Sequence, residues 1–182
     1  MRIVAEEERA GLELCVLEPL DPYRLADEHG IPVYPLEELE DGPRAQAAIH
    51  HFTSVRSTMW SAALIPMGSS RLIIENTAHP VTRRRASLAH EMGHHLLEHE
   101  FAEMLLTEDG CRRFDQAREN EAKFLSGQLL ISDAAARRAA FDGKNNAQVA
   151  ATYGVSEQFA QMRMSGARVM AQRALAKQAR PR

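Results

Sequence analysis

Residues 90–94 read His90-Glu91-Met92-Gly93-His94, an H-E-x-x-H pattern set in the apolar run from Ala86 to Leu97. On an α-helix, residues four apart lie one above the other, so His90 and His94 can offer two imidazole nitrogens to one ion. Glu91 follows the first of them by about 100° of turn, which places its carboxylate beside the ion without coordinating it. These residue types at this spacing point to hydrolysis assisted by Zn²⁺. The ion takes three protein ligands, keeps one position for water, lowers that water's pKa to about 7 and polarises a carbonyl. Glu91 then takes the water's proton and passes it to the leaving amine. The bland alternative is a charged surface helix with incidental histidines. Against it, Leu88, Ala89, Met92, Leu96 and Leu97 supply an apolar face, and Thr82 is the predicted N-cap.

A catalytic zinc needs one more protein ligand. A third His six residues after His94 would make the long metzincin motif, but that position holds Glu100. Glu98 lies one turn further on the same helix, and three ligands in a line cannot close a tetrahedron. His99 is rotated off the His90/His94 face, and both His95 and His99 read as pointing outward or supporting a ligand from behind. A carboxylate from a second, packed helix remains. The stretch Arg118-Glu119-Asn120-Glu121-Ala122 offers Glu119 and Glu121, about 200° apart on that helix, and spacing alone does not choose between them. His79, in the loop before the H-E-x-x-H helix, and Tyr153 are weaker candidates to stabilise an oxyanion.

Around these residues the chain reads as alternating short helices and a small sheet. Asp21-Pro22 opens a helix running to His29 and closed by Gly30. Ile31 to Pro35 is extended and forms an edge strand at most. Pro43 starts a second helix reaching about His51. Thr53, Val55 and residues Thr58 to Ile65 favour extended structure and Leu72 to Ile74 a second strand, around a Gly68-Ser69-Ser70 turn, a hairpin delivered just before the H-E-x-x-H helix. An exposed strand edge there could hold an extended peptide across the metal. Beyond an acidic segment around Met104 to Gly110, helices are predicted from Asp115 to Leu130, from Ser132 to Asp142, from Asn146 to Gly154, and onward from Ser156. The expected architecture is α+β, a small antiparallel sheet packed on a mainly helical, zincin-like domain. Residues 1–20 read as an acidic, frayed extension with Leu12, Leu14, Val16 and Leu17 docking on the domain, 21–175 as the domain with 145–175 a helix-turn-helix-like end, and 176–182 as a basic tail.

The 182 residues, 45% hydrophobic and 26% charged, suit one globular domain. No apolar run approaches a membrane span, and the acidic start is unlike a signal peptide, so the expected location is the cytoplasm. Cys15 and Cys111 lack a C-x-x-C partner and read as free thiols.

Two stretches resemble the ImmA/IrrE family of zinc metallopeptidases. Arg85 to His94, R-A-S-L-A-H-E-M-G-H, is similar to that family's R-F-T-L-A-H-E-L-G-H. Glu121 to Ser132, E-A-K-F-L-S-G-Q-L-L-I-S, resembles its E-A-N-x-F-A-A-x-L-L-M-P. The segment from Asp21 to Val33 also looks like the family's opening helix and G-I-P-V strand. The resemblance implies a zinc endopeptidase whose metal is held by His90, His94 and the Glu two residues before the E-A-N glutamate, here Glu119, with Glu91 as acid and base. It further implies a protein substrate, a helix-turn-helix repressor whose cleavage switches on a stress, phage or mobile-element programme. The chain departs from the pattern at Lys123, where the family has Asn, at Leu125 and at Ser132. Lys123 stands one turn beyond Glu119, where a cation would compete with zinc for that carboxylate.

A rival reading comes from the C-terminal end. Residues 147–162 place Ala150, Gly154, Val155 and Ser156 where a helix-turn-helix uses such residues. From Leu130 onward nine Lys or Arg stand against three Asp or Glu, including Arg163, Arg168 and Arg173. This would make the protein a DNA-binding regulator with a structural or sensing metal. However, Gly-Val-Ser also ends one helix and caps the next, and Glu157 follows where phosphate would lie.

Overall fold

The computed structural model describes residues 1–39, 42–99 and 116–178. The acidic segment around Met104 to Gly110, Cys111, the expected helix start at Asp115 and the last four residues lie outside these. The chain folds as α+β. Its elements in order are α1 (Arg2–Gly11), α2 (Pro22–Glu28), β1 (Val33–Pro35), α3 (Gly42–His50), β2 (Ala62–Met67), β3 (Ser70–Glu75), α4 (Val81–Leu96), α5 (Gln116–Leu130), α6 (Asp133–Phe141), α7 (Asn146–Tyr153) and α8 (Glu157–Gln178).

Local chemistry accounts for most boundaries. Asp21 caps α2 by accepting from the Tyr23 N–H at 3.2 Å, Pro22 occupies the first turn, and Gly30 takes a left-handed conformation after the helix. Ser132 caps α6 by accepting from Ala135 N, and Asn145 with Gln148 forms a reciprocal capping box on α7. The α4 helix starts two residues earlier than expected, after Pro80 with Val81 as its first residue, and Thr82 makes no cap. Residues 51–55 form a wide π turn continuing α3, so Thr53 and Val55 are helical where extended structure was expected, and the strand expected from Thr58 begins only at Ala62.

The sheet is mixed, in the order β1-β3-β2, where an antiparallel one was expected. The β2–β3 hairpin closes through a two-residue turn at Gly68-Ser69, while β1 runs parallel to β3, with Val33 opposite Ile73. A parallel neighbour is possible because the connection from β1 to β3 crosses through α3 and β2. Strand β2 is therefore an edge, and its free side runs along α4.

Residues 1–20 lie on the domain as α1 and the segment after it: Leu12 and Leu14 dock as expected, while Val16 and Leu17 stay exposed. Arg9 on α1 is 1% exposed, and its guanidinium donates to Leu129 O on α5 at 2.6 Å and to Glu18 O at 2.7 Å. With Ala5 and Leu12 it closes a core that includes Leu25, Leu64, Ile73, Leu88, Met92, Leu125 and Leu129. A second core joins Ala89 to Leu130, Ile131 and the inner faces of α6, α7 and α8. Helix α4 thus lies between the two cores, held on both flanks, which is what an element carrying chemistry needs in order to stay in register.

Candidate metal centre and active site

His90 and His94 project from one face of α4, and Glu119 reaches them from the first turn of α5. His90 Nε2 lies 3.2 Å from His94 Nε2 and 3.1 Å from Glu119 Oε2, and His94 Nε2 lies 3.5 Å from Glu119 Oε1. Ligand atoms about 2.0–2.1 Å from a tetrahedral ion are about 3.3 Å apart. The three donors already stand at that spacing, and among the described residues they are the group of His, Cys, Asp or Glu side chains drawn close enough to hold an ion. The donor set, two imidazoles and a carboxylate, suits zinc. Burial holds the His90 imidazole below its ordinary pKa, against the pull of Glu119 and with help from Lys123. The ring is thereby kept in the neutral form that offers a lone pair.

The crossing of α4 and α5 explains why Glu119, and not Glu121, faces the pair. Gly93 sits against the backbone of Ala122, so close that an added Cβ would stand 2.9 Å from the Ala122 carbonyl oxygen. With Ala122 pinned against α4, Glu119 one turn earlier lies over the imidazoles, and Glu121 is carried to the far side. There its carboxylate meets His99 Nε2 at 3.1 Å.

Glu91 is tied to the sheet. The backbone N–H of Leu64 on the free edge of β2 donates to Glu91 Oε2 at 3.0 Å. Pro66, two residues on, shares the outward orientation, which is where a strand tolerates a residue without an N–H. Beside Glu91 and His90 opens a cleft of about 460 Å³, lined by Met59, Trp60, Ala62, Arg83, Ala86, Lys123 and Phe159 among others. Lys123 thus stands on the metal side of α5, as its spacing from Glu119 suggested.

The remaining candidates find structural employment. His79 is buried, with Nε2 2.9 Å from Trp60 O and 3.2 Å from Ser61 Oγ. Tyr153 donates its hydroxyl to Leu17 O at 2.9 Å, which ties α7 to the segment after α1 and leaves that group no part in an oxyanion site. His95 Nδ1 lies 2.9 Å from Arg71 Nη1. The three arginines that open α4 each meet acceptors: Arg83 at Thr58 O and Ser61 Oγ, Arg84 at Glu75, and Arg85 at Asp21, Leu20 O and Gly154 O. These contacts offset an unfavourable place for cations at a helix N-terminus. At the C-terminal end, Arg163 turns inward to Ile131 O and Asp133, and Arg168 pairs with Asn146 Oδ1. Two of the three arginines of the expected basic face are thereby occupied within the domain. Sequence reasoning missed Leu64, because a backbone donor leaves no trace in residue type.

An α+β domain with two histidines from one helix, a carboxylate from its neighbour and a further glutamate bonded to a strand edge is compatible with a metallopeptidase type of site. The chain belongs to the M78 peptidase family of IrrE N-terminal-like domains, the ImmA/IrrE family, whose model matches residues 26–165. No curated protein and no solved structure matches it.

Proposed function

We propose that this protein is a zinc-dependent endopeptidase in which His90, His94 and Glu119 hold the ion and Glu91 moves the proton. The observation that carries the reading is the 3.1–3.5 Å spacing of Nε2, Nε2 and carboxylate oxygens, with Glu91 held alongside. When bound, zinc supplies a Lewis acid for the scissile carbonyl and lowers the pKa of the attacking water. Glu91 accepts that water's proton and delivers it to the departing amine nitrogen. The cleft lined by Trp60 and Phe159 would take a side chain of an extended stretch of polypeptide laid beside β2, whose Leu64 N–H is already held by Glu91. The substrate in this reading is a protein cut in an exposed loop or linker. Family resemblance makes it a helix-turn-helix repressor in the cytoplasm, whose loss relieves repression of a stress, phage or mobile-element programme. No helix among the described residues is long and apolar enough to cross a membrane. The test is metal analysis of the purified protein, followed by incubation of the zinc-loaded form with the repressor encoded nearest to it. One zinc per chain and discrete, chelator-sensitive fragments are expected. A protein that stays metal-free in excess zinc overturns the reading.

A further inference from the structure

Helix α4 ends two residues after His94, and the way it ends brings a third histidine to the site. Glu98 takes a left-handed backbone conformation, with φ of 51°. The N–H of Glu98 then bonds to His95 O at 3.0 Å and that of His99 to His94 O at 3.1 Å. This is the paired 5→2 and 6→1 pattern of a Schellman cap, a place usually given to Gly because a Cβ is strained there. The chain doubles back, and His99, 8% exposed, sets its Nδ1 2.9 Å from Nδ1 of His94. Its other nitrogen meets Glu121 Oε2 at 3.1 Å.

We propose that His99 and Glu121 are positioning residues for the metal centre, forming a hydrogen-bonded chain that sets the tautomer of His94 and presents its Nε2 lone pair to the ion. The inference rests on reading His90, His94 and Glu119 as the metal ligands. Its logic is directional. An ionised carboxylate only accepts, so Glu121 places the proton of the neutral His99 ring on Nε2. The Nδ1 of His99 is then an acceptor, and the partner it faces, His94 Nδ1, must carry a proton. A neutral His94 protonated at Nδ1 has its lone pair on Nε2, the atom that faces His90 and Glu119. The reverse arrangement would put a proton on Nε2, where an ion has to bind. Both carboxylates of α5 therefore grip one imidazole, Glu119 at its front and Glu121, through His99, at its back.

The test measures zinc affinity of the full chain by competition with a chromophoric chelator, together with ¹⁵N NMR of the histidine rings. His99→Leu, which removes the acceptor, is expected to weaken zinc binding about 10–100-fold. His99→Asn, whose Oδ1 can stand where Nδ1 stood, recovers most of the affinity. Glu121→Gln costs affinity in the parent and nothing further beside His99→Leu, because it acts only through that ring. In the unaltered zinc-loaded protein, His94 should be protonated at Nδ1 and His99 at Nε2. A parent that binds zinc while His99→Leu binds it equally well overturns the proposal and leaves the metal site standing. So does a loss from Glu121→Gln that is as large beside His99→Leu as in the parent, or a protonated Nδ1 on His99. A parent that binds no zinc overturns the metal-site reading, and this proposal with it.

Discussion

Gly93 on α4 and Ala122 on α5 meet backbone to backbone, with room for a hydrogen and none for a methyl group. The contact sets the separation of the two helices at the level of the candidate ligands, since His94 is the next residue on one helix and Glu119 lies one turn back on the other. Gly93→Ala should force the helices apart, at a cost of about 1–3 kcal/mol from overpacking. Because the strain moves Glu119 away from the imidazoles, zinc affinity should fall further than stability alone explains. Thermal melts with and without zinc, beside a chelator competition, check this; unchanged affinity would show that the site tolerates a wider crossing.

Glu91→Gln keeps a carbonyl-type oxygen to accept from Leu64 N–H and leaves all three candidate ligands untouched. Zinc content should stay at the parent level while cleavage drops by about 10²–10⁴, the usual weight of a proton-transfer group. Metal analysis and a cleavage time course on the same preparation provide the measurement. Loss of zinc in this variant would reassign Glu91 as a ligand.

Zinc added to metal-free protein should raise the melting temperature. At 100 times the dissociation constant, linkage gives about 2.7 kcal/mol, worth very roughly 5–10 °C in a chain of this size. Glu119→Ala should abolish most of that shift. If Glu121→Ala abolished it and Glu119→Ala did not, the assignment of ligand and support would be reversed.

Away from the site, Tyr23 donates its hydroxyl to Glu75 Oε2 at 2.7 Å. Burial, then the hydrogen bond and the charge of Glu75, push its pKa up to about 12. Below about pH 10 the phenol is protonated in both folded and unfolded chains, and its contribution is complete. Between pH 10 and 12 the unfolded chain releases a proton that the folded one keeps, so this stability declines as pH rises. Tyr23→Phe should therefore be less stable than the parent at pH 9, with the gap narrowing toward pH 11. Urea midpoints across that range check it, and a constant gap would mean that Tyr23 does not titrate as proposed.

What could be read from the residues alone was whatever acts within a few positions along the chain. The i, i+4 pairing of His90 and His94, the caps at Asp21 and Ser132, the end of α7 at Gly154 and the hairpin turn at Gly68 follow from local sterics and hydrogen bonding. What the tertiary structure decided was every relationship across elements. Arg9 lies in the stretch expected to be an extension, yet it is buried, with three carbonyls, of Cys15, Glu18 and Leu129, converging on its guanidinium. The choice of Glu119 over Glu121 depended on which side of α5 lies against Gly93, and two glutamates of one helix differ in nothing else. His99 seemed turned away on the assumption of a continuing helix, but Glu98 in a left-handed conformation reverses the chain and returns the ring to His94. Leu64 meets Glu91 through a backbone N–H that every residue but proline carries, so packing alone could select it.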